Sequence, residues 1–172
     1  MAVAQILPDL HRLDESPKEA LACAIWSDER PFRGVAGLVD FRFAGRLSRL
    51  AERRFVSGKA CELLCMPGKP RLPFDKIVVI GLGPRESFTD ELFHRAFDRL
   101  TKALVDLKVA NAAIELPGRA DGTLDVMKAS EFYFEWAKEN AFASSVCLVE
   151  EHEAHKLFSK NLEDLERKRR IQ

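Results

Sequence analysis

The sequence feature that most restricts the possible folds of this chain is a run of four β-branched residues. Ile77, Val78, Val79 and Ile80 lie in the run KIVVIGLG, and successive side chains of a strand point to opposite faces of its sheet. Because all four are apolar, both faces have to be covered, which is typical of an interior strand in an α/β protein. We therefore expect a central strand here, in a sheet covered on both sides.

Five or six strands are predicted, and they alternate with stretches of helical period. Apolar runs of strand length lie at residues 3–7, 20–26, 61–66, 77–81, 112–116 and 146–149. This alternation indicates an α/β layer architecture with a doubly wound or mixed sheet. Such sheets bind ligands beyond the carboxyl ends of their strands.

Apolar residues that recur every three or four positions predict four helices. One begins near Phe88, where Ser87 and Asp90 have the spacing of a capping box. A second is capped by Thr123 and runs to about residue 138, and its aromatic side chains favour core packing over ligand stacking. A third covers most of 37–54, although it contains a glycine, and a charged helix begins at about residue 151.

Length, charge and cysteine spacing disfavour several broad classes of protein. The 172 residues fit one domain, which we expect to span 1–172. With 27 basic and 27 acidic residues, the net charge offers no general attraction for nucleic acid or membranes. No secretory signal or membrane helix is recognisable, so we expect a soluble cytoplasmic protein. Cys23, Cys61, Cys65 and Cys147 lack C-x-x-C spacing, which favours buried, reduced thiols.

Two glycine-bearing segments, 34–38 and 81–85, are candidates for anion binding at a helix N-terminus. Neither matches G-x-G-x-x-G or the P-loop pattern. An ordinary strand-to-helix turn is therefore the alternative for each segment. The candidate ligand contacts are Gly34, Gly37, Asp40, Gly81, Gly83 and Arg85.

Neither a catalytic site nor a metal site has a sequence signature. His152 and His155 are three residues apart, but no third and fourth ligand accompany them, so solvent exposure is the favoured interpretation. Patterns such as G-x-S-x-G and H-E-x-x-H are missing from the sequence. The strongest basic cluster lies near the end of the chain and indicates either phosphate contacts with nucleic acid or a solvated helix end. It consists of Arg167, Lys168, Arg169 and Arg170.

The run ERPFRGVAGLVDFRFAGRLSRLAERR, followed by FVSGKACELLCMPGKPRLPFDKIVVIGLGPRESF, resembles the N-terminal domain of cytosol leucyl aminopeptidases. The family's turn G-x-x-G-x-x-D is matched by Gly34, Gly37 and Asp40. A later strand of the family ends in G-L-G, as at residues 81–83. The resemblance covers most of residues 20–116.

This resemblance implies a macro-domain-like fold, a three-layer α/β sandwich with a mixed, mostly parallel sheet of five to six strands. In the family, the metal ions and the peptidase chemistry belong to a separate C-terminal domain. Its signature N-T-D-A-E-G-R occurs nowhere in this sequence. We therefore carry over no catalytic residue and expect neither a cofactor nor an enzyme.

Three functions follow as hypotheses. The first is a non-catalytic protein-interaction or assembly domain that forms a homo-oligomer or binds a separately encoded aminopeptidase. The second is a module for ADP-ribose or another nucleotide-type ligand, which macro domains bind through glycine-rich loops and helix N-termini. The third, which the zero net charge disfavours, is nucleic-acid binding through the basic C-terminal end. A membrane partner is not expected.

Overall fold

A computed structural model describes residues 3–171, which form a six-stranded sheet covered by helices on both faces. The strands are β1 (Ala4–Ile6), β2 (Ala20–Ile25), β3 (Leu63–Pro67), β4 (Lys76–Gly81), β5 (Ala112–Ile114) and β6 (Val146–Val149). Their order across the sheet is β1-β6-β5-β2-β4-β3, and all neighbours are parallel except the pair β3 and β4. All six predicted strands are confirmed, with ends that differ by at most two residues.

Helices on the two faces complete the expected three-layer sandwich. They are α1 (Leu10–Asp14), α2 (Gly34–Arg42), α3 (Arg46–Glu52), α4 (Asp90–Asp106), α5 (Val126–Glu139) and α6 (His152–Ile171). The first three pack in one hydrophobic cluster and the last three in the other, on the opposite face of the sheet. The fold is thus α/β with a mixed, mostly parallel sheet.

Strand β4 shows why the apolar run requires two helical layers. Ile77 and Val79 pack in the cluster of α1–α3, whereas Val78 and Ile80 pack in the cluster of α4–α6. Each of these side chains is at most 1% exposed. The strand is interior, between β2 and β3, although β2 and β5 hold the middle of the sheet.

The helix predicted over 37–54 is in fact two helices. Ala44 and Gly45 have φ values of 52° and 78°, and this left-handed backbone separates α2 from α3. Asp40 then caps α3, because its carboxylate accepts the backbone N–H of Ser48 at 3.0 Å and the hydroxyl of the same residue at 2.5 Å. The glycine therefore serves a turn, where it costs little, and not a helix interior.

Both predicted helix caps are wrong by two residues. Ser87 belongs to a short 3₁₀ turn, and Thr89 is the residue whose side chain accepts an N–H of the first turn of α4. Asp125 performs the same role for α5, in place of Thr123. In each case a capping residue closer to the helix has the extended backbone that an N-cap needs.

Three aromatic residues of α5 belong to the core, as expected, since Tyr133, Phe134 and Trp136 are at most 7% exposed, whereas Phe132 is half-buried against it. The four cysteines are free, but Cys65 is exposed, contrary to the prediction of buried thiols. Cys65 lies on β3, which is an edge strand of the sheet. The next residue, Met66, is buried in the core, and Cys65 therefore points to the opposite face of the strand. Among the helices of residues 3–171, none is long and apolar enough to cross a membrane.

Candidate functional site

The candidate site lies where the carboxyl ends of the five mutually parallel strands meet. Trp26 follows β2, Leu82 follows β4, Glu115 follows β5 and Glu150 follows β6. Helix α2 begins at Gly34, so its first N–H groups belong to the same region. We call this edge of the sheet the carboxyl edge.

Glu115 is the central residue of the carboxyl edge. Its side chain is buried, with the residue only 4% exposed, and its Oε1 accepts the backbone N–H of Val35 at 3.0 Å. A carboxyl group of the chain itself therefore sits at the N-terminus of α2, where an external anion would be attracted. The Glu115 side chain therefore occupies the position at which we predicted an anionic ligand.

The ionisation of Glu115 follows from its surroundings. Burial raises its pKa to about 8, and the N–H of Val35 opposes this shift, while the neighbouring carboxylates of Glu150, Asp121 and Glu151 add to it. Its Oε2 has no hydrogen-bond partner within the described residues. At neutral pH the group is consequently protonated and neutral.

Gly34 makes this arrangement possible. Its φ is +57°, and a Cβ placed on it would lie 2.5 Å from both Glu115 Oε1 and the Cβ of Ala120. Gly37 is restricted in a similar way, because its Cβ would lie 2.5 Å from the carbonyl oxygen of Phe32. The two glycines allow close packing of the chain against itself, which leaves no space for a ligand beside them.

A buried ion pair closes the other side of Glu115. Arg119 donates from Nε to Glu150 Oε2 at 2.7 Å and from Nη2 to Oε1 at 3.0 Å, a two-bond pairing between groups that are 11% and 6% exposed. The cavity that remains among these side chains has a volume of about 20 Å³. This is room for about one water molecule, whereas pockets for small-molecule ligands measure roughly 300–1,000 Å³.

A second charged group occupies the carboxyl edge next to β2 and β4. Arg85 pairs with Asp121 at 2.9 Å and with Glu29 at 2.5 Å. Asp121 also accepts the indole N–H of Trp26 at 3.1 Å. An open depression of about 280 Å³ lies beside Arg85, but Asp28 and Glu29 contribute to its lining together with the arginines. The positive charge of Arg85 is therefore largely neutralised by carboxylates of the same chain.

The structure brings only some of the predicted contacts together. Gly34, Gly37 and Arg85 lie at the carboxyl edge, whereas Asp40 caps α3 at the far end of α2. Gly81 is enclosed, since its Cβ would lie 2.1 Å from the carbonyl oxygen of Lys59. These two residues act in turn and strand packing.

Gly83 also has a structural explanation. Its φ is +75°, and its N–H donates to the carbonyl of Gly58 at 2.8 Å while its own carbonyl accepts the N–H of Ser27 at 2.9 Å. It thus joins three loops at the end of β2 and β4. A left-handed backbone at this point favours glycine.

Sequence reasoning missed the charged residues that fill the site. Glu115 and Glu150 each come directly after a short, wholly apolar strand, and that position places a side chain at the carboxyl edge. A charged residue directly after an apolar strand was therefore the sequence signal that could have identified these two glutamates. The pairing of Arg119 with Glu150 had no comparable signal, since the two residues are 31 positions apart.

The histidines and the basic cluster stay outside the site. The rings of His152 and His155 are 6.3 Å apart, and within residues 3–171 no three His, Cys, Asp or Glu side chains are grouped to hold a metal ion. His94 packs against the ring of Phe132. The basic residues near the end of α6 are exposed, namely Arg167, Lys168, Arg169 and Arg170.

Solved structures with the same architecture define the class of fold. The Oceanobacillus iheyensis macrodomain with ADP has a TM-score of 0.68 at 14% identity, over 91% of this chain and 88% of that one. The macrodomain of Mycobacterium tuberculosis DarG has a TM-score of 0.64 at 14% identity, over 87% and 97% of the two chains. The chain therefore has a macrodomain-like fold.

The sequence comparisons then give the family. Residues 23–142 match the cytosol aminopeptidase family, N-terminal domain, and the chain belongs to this family. The probable cytosol aminopeptidase of Geobacter sp. (strain M21) is 31% identical over 103 residues, which are 60% of this chain and 21% of that protein. That of Halorhodospira halophila is 26% identical over 102 residues, 58% and 20% of the two chains.

The matched relatives are much longer than the aligned region, which spans only about a fifth of their length. A tomato leucine aminopeptidase mutant, K354E, has the same fold over 94% of this chain but 35% of its own, with a TM-score of 0.60 and 14% identity. The resemblance seen in the sequence and the macrodomain-like fold that it implied are both confirmed.

Proposed function

We propose that this chain is a non-catalytic protein-interaction or assembly domain. The observation that carries the proposal is the closure of the carboxyl edge around Glu115, although an open depression remains beside Arg85. Glu115 occupies the N-terminus of α2, and a cavity of about 20 Å³ remains beside it. A fold whose usual ligand region is filled by its own side chains is best suited to act through its outer surface.

Family membership supports the same function. The matching region is the N-terminal domain of the cytosol aminopeptidase family, and the candidate site contains no grouping of residues suited to hold a metal. The candidate partners are a second copy of this chain and a separately encoded aminopeptidase. Both would meet the domain through exposed apolar and charged residues.

Binding of ADP-ribose or another nucleotide is the alternative, favoured by the macrodomain-like fold. The chemistry of the carboxyl edge opposes it. A diphosphate would have to displace Glu115 and approach Glu150 and Glu151, which line the same cavity. Arg119, the cation that lines this cavity, is already paired with Glu150, so the wild-type chain is expected to bind no such ligand.

Thermal unfolding with and without ADP-ribose, ADP and inorganic phosphate tests this choice. A ligand at about 100 times its Kd stabilises a protein by about 2.7 kcal/mol, which raises the Tm of a domain of this size by roughly 5–10 °C. We expect no shift beyond that given by sodium chloride at the same ionic strength. A reproducible shift with ADP-ribose would make the nucleotide-binding function primary.

The interaction function has its own test. The tagged chain is used to recover proteins from a lysate of its source, and any recovered protein is identified and retested in purified form. Recovery of an aminopeptidase, or stable self-association, supports the proposal. A chain that is monomeric at high concentration and recovers no partner contradicts it.

Nucleic-acid binding through the C-terminal end is the weakest of the three hypotheses. The four cations near the end of α6 are exposed, but such a position is also favourable for a solvated helix end because of the helix dipole. Replacing Arg167, Lys168, Arg169 and Arg170 by glutamine would abolish DNA affinity if this function exists. We expect the unaltered chain to show no DNA affinity at physiological salt.

A further inference from the structure

Four exposed arginines lie on α3 or directly after it, and an exposed phenylalanine lies on each side of this segment in the sequence. Phe41 and Phe55 are 75% and 70% exposed, which is unusual for side chains of this size. Phe41 lies in the last turn of α2, where its carbonyl accepts the N–H of Ala44, and Phe55 follows α3, where its N–H donates to the carbonyl of Leu50. The arginines are Arg46, Arg49, Arg53 and Arg54, all exposed.

We call these six residues the Arg-Phe surface. None of its four arginines forms an ion pair with a residue in the described part of the chain, and Glu52 is the acidic residue of α3. Arg46, Arg49 and Arg53 follow the helical repeat and line a depression of about 360 Å³, with Leu50 as its apolar part. Arg49 also donates to the carbonyl of Ala44 at 2.6 Å, and the two exposed phenylalanines precede and follow these arginines along the chain.

The opposite side of the molecule carries a groove of complementary character. It has a volume of about 500 Å³ and lies between the second half of α4 and the end of α5. Its apolar lining consists of Val105, Trp136 and Phe142, and Val105 is 52% exposed. We call it the acidic groove, because three carboxylates line it.

The charge of the acidic groove is negative in sum. Asp98, Asp106 and Glu139 line it together with one cation, Lys102, which pairs with Asp106 at 3.0 Å. The groove therefore combines three apolar side chains with carboxylates placed around them. This is the counterpart of a surface with protruding phenylalanines and free arginines.

We propose that the Arg-Phe surface of one copy of this chain docks into the acidic groove of a second copy, with Phe41 or Phe55 entering the groove. The inference rests on the proposed interaction function and names its partner as the chain itself. The two surfaces lie on opposite sides of the sheet, since α3 packs in one hydrophobic cluster and α4 and α5 in the other. The two surfaces can therefore contact each other only when they belong to different molecules.

An interface of this kind is heterologous, because each copy contributes a different surface to each contact. Every bound copy then presents a free Arg-Phe surface at one side and a free acidic groove at the other, so that association continues into a ring or a chain of copies. Association that depends on these charges weakens as salt rises.

Sedimentation velocity with two charge-reversal variants tests the proposal. One carries Arg49→Glu and Arg53→Glu in the Arg-Phe surface, and the other carries Asp106→Lys and Glu139→Lys in the acidic groove. A control with Arg167→Glu and Arg169→Glu alters exposed arginines outside both surfaces. Circular dichroism melts establish that each variant is folded.

We expect the wild type and the control to associate between low micromolar and several hundred micromolar, and each surface variant to lose at least about tenfold in association constant. Mixing the two surface variants restores association, because each retains the native surface that the other lacks. A mixture of folded variants that stays monomeric overturns the proposed pairing, as does equal loss in the control.

A wild type that remains monomeric at several hundred micromolar also overturns the proposal. The interaction function is judged separately in that case. Recovery of a different protein from the lysate would leave the interaction function standing while self-docking fails, whereas failure of both experiments would contradict both.

Discussion

Single residues decide whether the carboxyl edge of this macrodomain-like fold is open or closed. Glu115 places a neutral carboxyl at the N-terminus of α2, and Gly34 permits the contact because it has no Cβ. Arg119 and Glu150 close the neighbouring space with two charged hydrogen bonds. Removing one partner of such a buried ion pair strongly lowers the free energy of unfolding, since the remaining charge would be buried without a partner.

Replacing Glu115 by glutamine tests its buried, protonated state. The raised pKa of about 8 means that, between the ordinary value of 4.5 and 8, the unfolded chain releases a proton that the folded chain retains. Stability from this group is therefore fully present below pH 4.5, is lost as pH rises to about 8 and changes no further above it. Glutamine keeps an acceptor for Val35 but does not ionise.

Urea unfolding of the wild type and Glu115→Gln across this pH range measures the effect. We expect the variant to gain about 4–5 kcal/mol relative to the wild type between the acidic and the alkaline end of the range, because the pKa of Glu115 rises from 4.5 to about 8 on folding. Parallel stability profiles for the two proteins would show that Glu115 does not retain its proton on folding.

At the scale of helices and strands, the sequence pattern predicted the elements better than their ends. Six strands and the long helices α4, α5 and α6 are where the apolar periodicity indicated. The helix ends depend on side chains that reach particular N–H groups. Asp125, for example, accepts from Met127 at 2.8 Å and from Lys128 at 3.3 Å, and so defines the start of α5.

The cap of α5 provides a prediction with a matched control. Asp125→Ala removes the acceptor of two helix N–H groups, and we expect it to lower the free energy of unfolding by about 1 kcal/mol. Thr123→Ala changes an exposed turn residue nearby and should cost less than about 0.5 kcal/mol. Thermal or urea unfolding compares the two, and a larger loss at Thr123 would contradict the assignment of the cap.

At the scale of the whole molecule, both ends of the chain complete the sheet and its core. Strand β1 pairs with β6 at one edge, and α6 buries Phe158 and Leu162 among residues of α4 and α5. Both of these elements lie outside residues 23–142, the part that matches the family. The prediction of one domain over 1–172 therefore makes α6 essential to the fold.

Two truncations test that prediction. Ending the chain after Glu151 removes α6 and exposes its partners in the core, where each large buried side chain contributes about 2–5 kcal/mol against a total stability of roughly 5–15 kcal/mol. We expect this chain to lose its cooperative thermal transition. Among the described residues, ending the chain after Glu166 removes only the exposed ones at 167–171 and should leave the transition in place.

If the chain without α6 kept a cooperative transition near the wild-type Tm, the folding unit would be smaller than 1–172. Circular dichroism monitors both truncations at equal concentration. The shorter removal also deletes the basic cluster, so the same pair of proteins serves as a control for nucleic-acid binding.

The sequence by itself determined the layer architecture, because β-branched runs and helical periodicity are local properties that select strands and helices directly. It also carried the family resemblance, through Gly34, Gly37 and the G-L-G segment after β4. What those glycines do was decided only by the tertiary structure. Val35 and Glu115 are 80 residues apart, and their hydrogen bond forms only because β2 and β5 lie side by side. The closed carboxyl edge therefore depends on long-range packing, which no local pattern records.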